Sequence, residues 1–126
     1  MSTHIDAPAG AIAPIVLLPG DPLRAQYIAE TYLKDVVRYN TVRNAFGYTG
    51  SFEDTRVSVQ ATGTGMPSMS IYATELMVDY GGQGLIRVCT AGGLSQAVHG
   101  RDPLVALGSA TASRMLWNTF GPGLHF

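Results

Sequence analysis

Charge is scarce in this 126-residue chain: Asp, Glu, Lys and Arg together make up 13%, about half the roughly 25% usual in globular proteins. The two signs nearly cancel, eight cations against nine acids for a net −1. No basic field therefore exists to draw nucleic acid or an anionic membrane. A single cysteine, Cys89, excludes an internal disulfide framework and a cysteine-built zinc site. No apolar run approaches the ~18–20 residues of a membrane span, and the start lacks the basic-then-apolar layout of a secretory signal. His4, His99 and His125 are too scattered for metal-ligand spacing, so no metal is expected. No glycine is followed by Lys-Ser or Lys-Thr, which removes a P-loop, and no Gly-x-Ser-x-Gly elbow occurs.

What is present is apolar and glycine-rich: 46% hydrophobic residues and 15 glycines, enough to bury a core and to exclude disorder. The length suits a single domain over residues 1–126, and the composition points to a cytoplasmic protein. Lys34 is the only lysine; the other seven cations are Arg24, Arg38, Arg43, Arg56, Arg87, Arg101 and Arg114. Arginine's planar fork suits bidentate contact with phosphate or carboxylate, although a GC-rich genome would favour arginine equally. Position has to decide which arginines matter.

Residues 1–13 have no clear period and read as an arm or irregular lead-in. Ile15 to Leu18 is a short β-branched run stopped by Pro19-Gly20, the pattern of a buried strand. Asp21-Pro22 supplies an N-cap and a first-turn proline, and apolar spacing carries a helix to about Leu33. Tyr48–Phe52 and Arg56–Ala61 flank Glu53-Asp54-Thr55 as an antiparallel hairpin. Ile71, Leu76, Met77 and Tyr80 mark a second helix closed by Gly81-Gly82. Leu85–Cys89 and Pro103–Gly108 read as further buried strands, and Trp117 and the five methionines as core. Strands alternating with helices and ending in glycine loops give an α/β fold around a parallel or mixed sheet. Ligands in that architecture sit beyond the carboxyl ends of the strands.

Three segments could carry chemistry. Leu18-Pro19-Gly20-Asp21-Pro22-Leu23-Arg24 combines a strand end, a glycine, a capped helix start and a first-turn arginine. Those are the parts of an anion site: close backbone approach, unpaired N–H donors and a fixed cation. The same residues also fit a plain strand-to-helix turn with a surface arginine. Ile86-Arg87-Val88 places a guanidinium inside an apparently buried strand, where it must meet a carboxylate, Glu75 or Asp79, or a bound anion. Thr90 and Gly92 follow it at the strand's carboxyl end, which favours the anion. Gly63-Thr64-Gly65-Met66-Pro67-Ser68 imitates a dinucleotide fingerprint, but serine takes the third glycine position and no acid follows at a strand end. No nicotinamide or flavin cofactor is expected.

Taken together these segments resemble the hexameric, DeoD-type bacterial purine nucleoside phosphorylases of the nucleoside phosphorylase-I superfamily. The resemblance rests on His4-Ile5, Pro19-Gly20-Asp21-Pro22-Leu23-Arg24-Ala25, Tyr27-Ile28-Ala29-Glu30-Thr31, Asn40 with Val42-Arg43, Gly47-Tyr48-Thr49-Gly50, Pro67-Ser68 with Ser70-Ile71-Tyr72, and Ile86-Arg87-Val88. The shorter Gly-Asp-Pro-x-Arg element also occurs in uridine phosphorylases, which keeps that branch as an alternative. The fold implied is a three-layer one, a mixed sheet flanked by helices, of which this chain is the N-terminal portion.

The resemblance implies a phosphate site made of Gly20, Arg24 and the run Arg87, Val88, Cys89 and Thr90. Arg43 would reach the same phosphate from a neighbouring subunit, and His4 would cross that interface to the ribose 5′-hydroxyl, with Thr64 and Thr90 also at the nucleoside. The implied partners are a purine nucleoside, phosphate and further copies of the chain, in a hexamer built as a trimer of dimers. The implied reaction is phosphorolysis to free base and (deoxy)ribose 1-phosphate, with no metal or organic cofactor.

Departures from the family pattern are Thr64 in place of a methionine, Cys89 in place of a glycine, and one extra residue within 95–101. The family's base-protonating aspartate and its ribose-gripping Met-Glu element have no counterpart up to Phe126, so no catalytic acid is expected in this chain. The sequence therefore reads as the N-terminal half of a nucleoside phosphorylase, interrupted in Gly-Pro-Gly-Leu-His-Phe. The alternative is a catalytically inactive phosphate-binding or assembly module.

Overall fold

A computed structural model describes residues 2–111 and 113–121. Its elements in chain order are β1 (Ile15–Pro19), α1 (Pro22–Tyr32), β2 (Lys34–Asn40), a 3-10 turn (Val42–Asn44), β3 (Gly47–Phe52), β4 (Thr55–Gln60), α2 (Met66–Val78), β5 (Gly84–Val88) and α3 (Met115–Phe120). The five strands form one mixed sheet in the order β2-β3-β4-β1-β5. β1 runs parallel to β4 and β5, whereas β3 is antiparallel to β2 and β4. The mixed sheet with flanking helices is the α/β architecture expected of the sequence.

The chain divides into two compact units, residues 1–89 and 90–126. In the first, the β-branched run of β1 is central because parallel pairing on both sides buries Val16 and Leu18 completely. Asp21 caps α1 as its sequence demands, its carboxylate accepting from the N–H groups of Leu23 (2.7 Å) and Arg24 (3.3 Å). The core joins Ile5, Val16, Leu18, Val59, Tyr72 and Leu76 with the small faces Ala25 and Ala29 of α1. The two longer helices lie on opposite faces. Leu33, at the end of α1, abuts Gly50, while Met69 of α2 meets Arg87, whose strand position pairs with Leu18.

The lead-in is not a loose arm. Ile5, Ala7, Ile12 and Ala13 are buried, and polar rungs of the sheet secure the backbone between them. Ser58 Oγ accepts from Ala13 N (2.8 Å), Thr49 Oγ1 donates to Ala11 O (2.8 Å), and Arg56 Nη2 donates to Gly10 O and Ala11 O, each at 2.7 Å. The arm lacks periodicity because it follows the sheet surface without joining a ladder.

Three expectations fail, and one strand carries no signal in the sequence. β5 is an edge strand, so Ile86 is 52% exposed and Arg87 is an exposed residue instead of an interior one. β2 is the other edge; a bulged register and a left-handed Asp35 (φ 52°) break the alternation that would have marked it. Residues 103–108 form no strand: Leu104, Val105 and Leu107 stand exposed, and no ladder partner lies beside them among the described residues. Trp117, on the short α3, is half exposed instead of buried. His125 and most of the terminal Gly-Pro-Gly-Leu-His-Phe run lie outside the described residues. Among the described residues no helix is long and apolar enough to cross a membrane.

Candidate phosphate site

The site lies at the carboxyl ends of β1 and β5. Register pairs Leu18 with Arg87 and Pro19 with Val88, so the loop after β1 and the last residues of β5 emerge side by side. Parallel strands impose this: the turn into α1 and the arginine of β5 must reach the same rim of the sheet. Gly20 sits at the contact. A Cβ there would lie 3.0 Å from Arg87 Nη2 and 3.0 Å from the Gly63 carbonyl oxygen, so only a residue without a side chain lets the guanidinium reach the backbone of the turn.

Arg87 is held from below. Its Nη1 donates to Leu18 O (3.3 Å) and to Thr62 Oγ1, and it lies 3.9 Å from Met69 Sδ. Nη2 lies 3.7 Å from Cys89 Sγ, and Arg24 Nη1 approaches the same sulfur at 4.0 Å. The two guanidiniums thus converge on one atom. Among the described residues neither has a carboxylate within 4.0 Å. Glu75, weighed as a partner for Arg87, is instead taken by His4 at 2.6 Å. Two cations side by side with neither paired to a carboxylate, at the helix start that Asp21 caps, can neutralise and orient a tetrahedral anion.

Thr62 is a site residue that sequence reasoning did not single out, and Ser68 is one that it named only as part of the glycine loop and the family pattern. Thr62 is fully buried; its hydroxyl accepts from Arg87 and faces the Pro19 and Gly63 carbonyls (3.4 and 3.2 Å), while Ser68 Oγ donates to Thr62 O (2.5 Å). The only signal for Thr62 was proximity to the glycine loop. Thr64 is exposed on that loop, Val88 ends β5, and Thr90 is the first residue of the second unit.

His4 and Arg43 meet at a second feature, a cavity of about 260 Å³ that also borders Thr62, Gly63, Ser68, Ile71 and Tyr72. Arg43 stands on a left-handed backbone (φ 55°, ψ 23°), which for a non-glycine residue costs on the order of 1–3 kcal/mol. Buried Asn40 maintains it: Oδ1 accepts from Asp6 N (3.0 Å) and Val42 N (3.4 Å), while Nδ2 donates to Ala45 O (2.7 Å) and His4 O (3.4 Å). One amide therefore ties the arm to the Arg43 turn. Burial pushes the Tyr72 phenol above its ordinary range, with the nearby Arg43 charge pulling the other way and Glu75 adding to the rise.

The family model of the Phosphorylase superfamily matches residues 14–114, most of the chain and every strand of the sheet. The chain belongs to the Phosphorylase superfamily. Curated relatives include the DeoD-type purine nucleoside phosphorylase of Lacticaseibacillus casei strain BL23, 67% identical over all 126 residues of this chain and 53% of that protein. Those of Latilactobacillus sakei subsp. sakei and Streptococcus thermophilus are 60% and 58% identical, over 100% and 94% of this chain and 54% and 50% of theirs. Among solved structures, uridine phosphorylase from Vibrio fischeri ES114 is similar with a TM-score of 0.71 and 29% identity, over 76% of this chain and 39% of that one. The chain spans about half the length of the curated relatives it matches.

Proposed function

We propose that this chain carries the phosphate-binding half of a purine nucleoside phosphorylase, which cleaves purine (deoxy)ribonucleosides with phosphate to free base and (deoxy)ribose 1-phosphate. The observation behind the reading is the convergence of Arg24 and Arg87 on Cys89 Sγ, at a glycine turn and a helix N-terminus. The purine branch is preferred because the curated relatives at 58–67% identity carry that name, against 29% for the uridine phosphorylase structure.

In this reading phosphate is the nucleophile. Gly20, Arg24, Arg87, Val88, Cys89 and Thr90 surround it, and the two guanidiniums position it and balance its charge as positive charge builds on the sugar. Arg43 reaches the phosphate of a neighbouring copy and His4 the sugar 5′-hydroxyl there, in a homo-oligomer of the hexameric, trimer-of-dimers type. Thr64 and Thr90 border the nucleoside. The acid that protonates the departing purine belongs to the length of the relatives that this chain does not span. Neither metal nor organic cofactor takes part, and the setting is cytoplasmic purine salvage.

The test is purine release from inosine by a form carried to the relatives' length and retaining Gly20, Arg24, Arg43 and Arg87. Cleavage is expected only with phosphate or arsenate present; equal cleavage without either overturns the proposal.

A further inference from the structure

We infer that Glu75 is the positioning residue for His4: it fixes the imidazole as its Nδ1–H form and leaves Nε2 as a lone-pair acceptor at the cavity shared with Arg43, a pairing that selects a neutral hydroxyl group. The inference deepens the proposed function and rests on it for the identity of that hydroxyl, the sugar 5′-hydroxyl of a nucleoside.

Glu75 divides its two oxygens between ring and backbone. Oε1 lies 2.6 Å from His4 Nδ1; Oε2 accepts from His4 N at 3.0 Å and from the Ser2 hydroxyl. Burial alone would raise the Glu75 pKa, but the hydrogen bonds from Ser2 and His4 outweigh it and hold the carboxyl below its ordinary value. An ionised carboxylate only accepts, so the proton on this contact belongs to Nδ1. In the neutral ring Nε2 is then bare, and among the described residues it has no hydrogen-bond partner.

The surroundings remove the remaining freedom. The Tyr72 ring stands edge-on to the imidazole, 5.9 Å between centroids and 68° between planes. Behind the backbone, Tyr80 Oη donates to Ile5 O (2.6 Å) and accepts from Ser2 N (3.1 Å), while Asn40 Nδ2 donates to His4 O (3.4 Å). The backbone bonds to Tyr80, Asn40 and Glu75 hold the arm; the bond to the ring adds to that hold and also sets the tautomer. His4 and Arg43 both line the cavity. A hydroxyl can give its hydrogen to a bare Nε2, whereas a carboxylate or phosphate oxygen meets only a lone pair there.

The test is long-range ¹H–¹⁵N NMR of the chain labelled at histidine nitrogen, at pH 8, above the ordinary imidazole pKa of about 6.5, with His4→Gln assigning the signal. His4 is expected with a protonated Nδ1 and a bare Nε2, the reverse of the form that dominates in solvated histidines. Glu75→Gln should turn that form from major to minor. Ser2→Ala, which weakens the arm's docking without touching the ring, should leave it major. An Nε2–H ring in the unaltered chain, or an unchanged tautomer in folded Glu75→Gln, overturns the inference; if Glu75→Gln does not fold, the unaltered chain decides alone. Calorimetry with inorganic phosphate keeps the two claims apart. An Nε2–H ring with phosphate binding intact ends this inference and spares the proposed function, whereas an Nδ1–H ring without phosphate binding does the reverse.

Discussion

Arg24 and Arg87 each aim a guanidinium nitrogen at the sulfur of Cys89, from 4.0 Å and 3.7 Å, although one stands on the first turn of a helix and the other on an edge strand. Parallel pairing of β1 with β5 produces this meeting, because register sets Leu18 beside Arg87 and so fixes where each chain leaves the sheet. Charge placed by backbone register needs no reorganisation when an anion arrives.

Binding and turnover should separate in this chain. The proposed function gives it the arginines of the phosphate site and assigns the acid that protonates the purine, a contribution of typically about 10²–10⁴-fold, to the length of the relatives that it does not span. The 126-residue chain is expected to bind phosphate and to release no purine from inosine or adenosine above background. A coupled assay for free base checks this, and clear turnover would show that the acid lies within these residues.

Gly47 should tolerate no side chain. A Cβ there would run into the Tyr39 ring and Gln60 Oε1, two side chains packed on the same sheet. Gly47→Ala is expected to destabilise by about 1–3 kcal/mol, the range for overpacking, and thermal unfolding followed by circular dichroism measures it. Loss of less than about 0.5 kcal/mol would show that Tyr39 moves freely.

Stability should fall with acid partly through Glu75. Its folded pKa is depressed, because the hydrogen bonds from Ser2 and His4 outweigh burial. The stabilisation is therefore present above the ordinary carboxylate value and is lost as pH drops through the lower folded one. Glu75→Gln should flatten the stability profile between pH 5 and about pH 3. Denaturant unfolding across that window tests it; parallel profiles for the two proteins would contradict it.

Assembly should be visible even here. Arg43 and His4 line one cavity on the surface of the first unit, and the proposed function has them serve a neighbour's site. Light scattering is expected to give at least twice the 13.4 kDa of one chain, through a two-fold interface. A monomer at micromolar concentration would count against the exchange.

Much of the site was legible because it is built from local grammar. Pro19-Gly20-Asp21-Pro22 can hardly be anything but a strand end, a close approach and a capped helix, and the structure makes it so. Arg87 was singled out on a premise that fails: it lies on an edge, not in the interior, and its importance comes from what register sets beside it. The contact between His4 and Glu75 joins residues 71 positions apart, and no period or motif links an irregular arm to a helix face. β2 stayed hidden because a bulge and a positive φ erase the alternation of its residues. Local chemistry can be read along a chain; edges, bulges and distant polar pairs exist only once the sheet has closed over them.

Calorimetric titration with inorganic phosphate, at fixed ionic strength, tests the central claim most directly. The unaltered chain should bind one phosphate, and Arg24→Ala and Arg87→Ala should each weaken binding by about 1.5–3 kcal/mol, the worth of a hydrogen bond to a charged group. That corresponds to roughly 10- to 150-fold in Kd. Arg101→Ala, a cation of the second unit, should leave it unchanged. If all three variants bind phosphate as tightly as the unaltered chain, the converging guanidiniums do not form a phosphate site and the account is contradicted.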